Sequence, residues 1–126
     1  MKTSLFLAVL MLVGCGGSGD CVQRSGTGTL RFTARSGNCG AIPEVVAEAQ
    51  PSAPKSPCTG TVVHSADNCS MTVDQTCPGA SGSTVTQEGT ANFNQAGTSG
   101  TGVFEISVTS SGASCFGTYD ATFTKI

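Results

Sequence analysis

Apolar and polar residues alternate along most of this chain. In TLRFTAR, residues 29–35, Leu30, Phe32 and Ala34 share one face, with Thr29, Arg31, Thr33 and Arg35 on the other. That two-residue period is the mark of a half-buried strand. CSMTVDQTC sets Cys69, Met71, Val73 and Cys77 to one side, and STVTQEGTANFN groups Val85, Ala91 and Phe93, with Gly89 as a bulge position. GVFEISVTS turns Phe104, Ile106 and Val108 inward, and CFGTYDATFTK does the same for Cys115, Tyr119, Ala121 and Phe123. CTGTVVHS is a shorter, less regular strand. Turn-forming clusters separate the runs: SADN before Cys69, GTSG before Thr101 and SSGA before Ser114. The spacing predicts an all-β fold, a small antiparallel sandwich or barrel.

One segment, AIPEVVAEAQPSAPKSP (41–57), does not alternate. Pro43 suits the first position of a short helix, with Glu44 and Glu48 near its start. Pro51, Pro54 and Pro57 forbid its continuation. The expectation is one or two helical turns and then a Pro-rich crossover loop, or a loop with no structure of its own. A weak internal echo links SGTGTLRFTARSGNC (25–39) with SGTGVFEISVTSSGASC (99–115). Gly- and Thr-rich strands converge on such patterns without common origin.

The chain opens MKTSLFLAVLMLVGC. Lys2 precedes an apolar run, Leu5 to Val13, that is short of the ~20 residues a bilayer requires. A charged start, a short apolar core and small residues at its end describe a secretory signal peptide. Leu12-Val13-Gly14-Cys15 resembles the bacterial lipobox. The resemblance covers residues 1–15 and implies a lipoprotein: signal peptide 1–14 removed, and Cys15 carrying the lipid as first residue of the mature chain. CGGSGD, residues 15–20, is then a flexible tether, and 21–126 the folded domain. Gly16, where an Asp signals inner-membrane retention, implies the outer membrane. The expected location is the cell envelope, with acyl chains holding the membrane at about 0.8 kcal/mol per buried methylene.

Cysteine count agrees with this division. Of seven cysteines, setting Cys15 aside leaves six: Cys21, Cys39, Cys58, Cys69, Cys77 and Cys115. An even number suits a disulfide framework in an exported chain. If CTGTVVHSADNCSMTVDQTC is a hairpin with a two-residue turn at Asp67-Asn68, each residue pairs with its mirror across that turn. Val62 then faces Val73, His64 faces Met71 and Cys58 faces Cys77, within reach of a bridge. The alternative is Cys58–Cys69 with Cys77 bonded elsewhere. Against Cys58–Cys77, a strict two-residue turn makes this a hydrogen-bonded pair, with the wider Cα spacing. Cys21, Cys39, Cys69 and Cys115 are left to share two bridges.

The core composition gives these bridges their importance. Past residue 15 there is one Leu, one Met and one Tyr, and no Trp. Disulfides at about 2–4 kcal/mol each are then a large share of net stability. Six Lys and Arg against eight Asp and Glu give a net charge of −2. With no basic cluster, nucleic acid is not an expected partner.

Candidate chemistry is sparse. His64 is the only histidine. A triad would need it beside a serine and Asp67 or Asp74, and no Gly-x-Ser-x-Gly surrounds any serine. Among the six framework cysteines the closest pair, Cys69 and Cys77, is too widely spaced for zinc, and no Cys-x-x-Cys exists for thiol redox work. No metal or cofactor is expected beyond the lipid on Cys15. Glu88, Glu105 and Asp120 fall on outward positions, where a solvated face is the ordinary reading and a glycosidase pair the sharper one. Asp67-Asn68 suits a turn better than a calcium site, which wants 6–8 oxygens. Thr29, Thr33, Thr72, Thr84, Thr86, Thr90, Thr118, Thr122 and Thr124 also face outward, as β-propensity alone produces. A flat threonine face also suits glycan. The expected function is a lipid-anchored envelope protein, not an enzyme, with a binding or structural role toward a protein or glycan partner. The alternatives are an enzyme inhibitor presenting loop 41–57, and a small hydrolase using His64.

Overall fold

The computed structural model describes residues 20–126. The lipobox-like segment with Cys15, and most of the tether, lie outside them. Seven strands form: β1 Thr27–Gly37, β2 Val45–Glu48, β3 Thr59–His64, β4 Ser70–Pro78, β5 Thr84–Phe93, β6 Ser99–Ser110 and β7 Ala113–Lys125. They make one antiparallel sheet in the order β2-β1-β7-β6-β5-β4-β3, curled into a half-barrel. β3 to β7 are a meander of consecutive hairpins. β1 returns to the free side of β7, and β2 adds to β1. The two edge strands, β2 and β3, are therefore consecutive in sequence, and the segment joining them spans the open side of the half-barrel.

The inner face places aromatic rings over glycines. Gly89 pairs with Phe104, and Gly100 with Phe93, on adjacent strands. A Cβ on either glycine would stand 2.5 Å from the ring of its partner. Phe123 covers Gly28 in the same way. The rings meet edge to face: Phe32 with Phe104 at 6.1 Å, Phe32 with Tyr119 at 6.4 Å, Phe93 with Phe123 at 5.8 Å. Val73, Ala91, Phe104 and Ala121 form the buried centre. Gly89 is thus not a bulge. Its register runs unbroken through both neighbours, and its lack of a side chain admits Phe104. The sheet's irregularity lies at Ala34/Ser36, where β1 slips against β7, and Ala34 is exposed. Gly89→Ala is expected to cost about 1–3 kcal/mol by overpacking. Thermal denaturation should show a Tm roughly 5–20 °C lower for a domain of this size.

The expected helix after Pro43 is absent, and the described residues contain no α-helix; a single 3-10 turn occupies Ala80–Gly82. Residues 45–48 are strand β2, paired with Thr27–Leu30. An isolated helix of one or two turns has no stability of its own. The free edge of β1 offers backbone partners at once, and Val45 and Val46 are β-branched residues suited to them.

Three disulfides form: Cys21–Cys69, Cys39–Cys115 and Cys58–Cys77. The β3–β4 register is the expected one, with Val62 opposite Val73 and His64 opposite Met71. The turn is different. Ser65 N–H bonds Ser70 O and Asn68 N–H bonds Ser65 O, so the loop has four residues, Ala66–Cys69. A two-residue turn needs a left-handed backbone at Asp67 and Asn68, and only Asn68 has one, at φ 61°. Both loops centre on the same peptide bond, which is why the register survives. The longer loop exchanges hydrogen-bonded for non-hydrogen-bonded pairs along the hairpin. Cys58 and Cys77 thereby fall on the narrower kind, with Cα atoms 4.1 Å apart.

Candidate ligand-binding cavity

Residues 49–58 form a strap across the mouth of the half-barrel. The strap runs through bends and a turn closed by Cys58 N–H on Lys55 O, and Pro51, Pro54 and Pro57 lack the N–H groups a further strand would use. Between strap and sheet lies a cavity of about 570 Å³, inside the ~300–1,000 Å³ range of small-molecule sites. Leu30, Val62, Met71, Ala91, Phe93 and Phe123 supply its apolar wall, and Pro51 to Lys55 its lid. Two polar side chains interrupt the wall. Gln75 and Gln87 are register partners on the inner face, and Gln75 Nε2 donates to Gln87 Oε1 at 3.0 Å.

Arg24 packs on the wall residue Phe93. It is 3 % exposed and lies in the irregular segment before β1. Its Nε–H donates to Ala49 O at 2.7 Å and its Nη1–H to Asn68 O at 2.8 Å. Nη2 approaches His64 Nδ1 at 3.4 Å. The guanidinium carbon stands 3.5 Å from the centre of the Phe93 ring, whose edge lines the cavity. Gln50 extends the network, accepting from Arg24 N–H and donating to Asn68 Oδ1. Ala49 follows β2, while His64 ends β3 and Asn68 belongs to the hairpin beyond it, so one side chain joins the two edges of the sheet. No carboxylate balances it, and burial pushes its pKa down. Main-chain carbonyls and an aromatic face take the place of a counter-ion.

His64 is part of this seam. Its Nδ1 faces the Arg24 donor and so accepts, and its Nε2 carries the proton donated to Pro51 O. Its hydrogen bonds thus go to Arg24 and the strap rather than to a serine and a carboxylate. Asp67 stabilises the hairpin loop. The Ser65 hydroxyl at 2.6 Å and the Cys69 N–H at 3.0 Å hold its carboxyl below the usual range.

The chain between β1 and β2 is tied to β7. There Cys39 is bridged to Cys115 and Tyr119, 1 % exposed, donates its hydroxyl to Gly40 O at 2.7 Å.

On the outer face, Glu88 stands opposite both Asp74 and Glu105 in one cross-strand row. Asp120 is apart from that row and paired with Arg35 at 2.6 Å. The carboxylates therefore do gather, amid threonines such as Thr72, Thr90 and Thr118, around a broad open depression. Among the described residues no three His, Cys, Asp or Glu side chains are placed to hold a metal, and no helix is long and apolar enough to cross a membrane.

The alternation of the sequence carried a trace of the cavity. Gln75 falls between Val73 and Cys77, and Gln87 between Val85 and Gly89, on faces otherwise apolar. A polar residue at a core position is itself a signal. Arg24 lies in a segment without period and gave none. No family model, no curated protein and no solved structure matches this chain.

Proposed function

We propose that this protein is a lipid-anchored, non-catalytic binding protein of the cell envelope, whose half-barrel carries a small, mostly apolar ligand. The observation behind this is the cavity under the strap. It is mostly apolar, of ligand size, and covered at the side by the strap, whose Pro51 and Pro54 line it, while the Arg24 seam packs on its wall residue Phe93. The lipobox-like Leu12-Val13-Gly14-Cys15 supports the anchor, and Gly16 after it the outer-membrane address. An inhibitor would present residues 41–57 outward, whereas Pro51 to Lys55 turn toward the cavity. A hydrolase would need His64 free of the seam.

Two measurements test the proposal. A neutral fluorescent probe, N-phenylnaphthylamine, is expected to brighten on binding the purified domain with one-site saturation. Absence of any saturable signal refutes the carrier function. Cys15→Ala is expected to abolish membrane fractionation or to block processing. A variant that is processed and fractionates like the parent refutes the anchor.

A further inference from the structure

Resting on that carrier function, we propose that the cavity selects neutral amphiphiles, seating an uncharged amide or hydroxyl head on the Gln75–Gln87 pair. The bond from Gln75 Nε2 to Gln87 Oε1 leaves Gln75 Oε1 as an open acceptor and the Gln87 amide N–H groups as open donors. No buried side-chain nitrogen or oxygen among the described residues lacks a partner. The open atoms of the pair are therefore accessible, and both residues line the cavity. Gly60, the register partner of Gln75 on β3, has no side chain to cover them. An open acceptor and an open donor on two bonded side chains match a group that both donates and accepts, as a primary amide or a hydroxyl does.

The rest of the wall sets the remaining chemistry. Its charged members are Glu48 and Lys55, both exposed at the rim. A charged head beside the glutamines would be desolvated with no opposite charge facing it, which is strongly unfavourable. Gln87 and Phe93 are six residues apart on β5, about 20 Å at 3.3–3.4 Å per residue. A ligand with its head at the glutamines can thus lay an extended apolar body along the wall toward Phe93 and Phe123.

Displacement of bound N-phenylnaphthylamine tests this with four ten-carbon probes: decanamide, decanol, decanoate and decylamine. Decanamide and decanol are expected to bind at least ~10-fold tighter than the two charged probes, a difference of about 1.4 kcal/mol. Gln75→Leu/Gln87→Leu removes both partners together, so no orphaned group remains and the fold is retained. Whatever its affinity for the naphthylamine, this variant should lose the ~10-fold preference for neutral heads, read as the ratio between neutral and charged probes within the variant. Its far-ultraviolet circular dichroism and a cooperative thermal transition report that it has folded. If the parent binds charged and neutral probes equally, the head-group assignment is overturned while the carrier function stands. Tightest binding of decanoate, lost in Lys55→Ala, overturns it in favour of a carboxylate at the rim. If the parent does not bind the naphthylamine at all, carrier function and head-group assignment fall together.

Discussion

Removing the Cys39–Cys115 bridge is expected to destabilise the domain by about 4–5 kcal/mol, more than removing either of the others. It closes the longest loop, with a sequence separation of 76 against 48 for Cys21–Cys69 and 19 for Cys58–Cys77. Loop-closure entropy gives about 4.5, 4 and 3 kcal/mol in that order. Position reinforces the order. Cys39 fixes the chain between β1 and β2 to the start of β7, beside the hydrogen bond from Tyr119 to Gly40. Cys58–Cys77 joins strands already paired through a local hairpin. With a total stability of ~5–15 kcal/mol for a domain of this kind, Cys39→Ala/Cys115→Ala should be marginal at 37 °C and the fully reduced chain unfolded. Urea unfolding of the three double-alanine variants under non-reducing conditions measures this. If the pair 58/77 costs the most, entropy of the unfolded chain is not what the bridges chiefly supply.

The strands were legible because one face is buried and the other wet, so the period of two is enforced at nearly every position. The hairpin at residues 66–69 was legible in register but not in turn type, since two-residue and four-residue loops about one centre pair the same residues. That difference decided whether Cys58 and Cys77 stood at the wide or the narrow spacing. The echo between 25–39 and 99–115 also has a counterpart in space. β1 and β6 flank β7 on its two sides, and the cysteines that end the two segments are bonded to each other.

The Pro-rich crossover loop after residue 48 is the expected one, but the expected helix after Pro43 was misread for a physical reason. Its local signals, a proline followed by acidic residues, favour a helix start, but they are weak beside an unpaired strand edge that only the tertiary fold creates. The cavity was hidden for a related reason. Inward glycines such as Gly89 and Gly100 read locally as bulges or turns. In the folded chain they are the places where rings lie flat against the neighbouring strand. The strap follows from sheet order alone, because β2 and β3 are neighbours in sequence and opposite edges in space. Sheet order is not written in any local pattern.

Arg24→Ala is the substitution in which a single side chain is expected to matter most, at about 3–5 kcal/mol. It leaves Ala49 O and Asn68 O without their donor, at ~1–3 kcal/mol for each buried orphan, and removes a cation–π contact of ~1–2 kcal/mol from Phe93. Arg24→Lys should recover little, since one ammonium cannot reproduce the planar fork that reaches the two carbonyls and His64. Arg24→Met should fall between parent and alanine. It keeps the apolar stem and a sulfur against the Phe93 ring, and it removes a charge that is desolvated with no carboxylate beside it. Chemical denaturation gives the three costs, and hydrogen exchange locates them. In Arg24→Ala, protection should fall at Ala49 N–H, which bonds Gly26 O, and along the β3–β4 hairpin. The β5–β6–β7 ladder should keep its protection. A loss spread evenly over all seven strands, or a cost below about 0.5 kcal/mol, the ordinary range of surface substitutions, would mean that the two edges of the half-barrel hold together without this guanidinium.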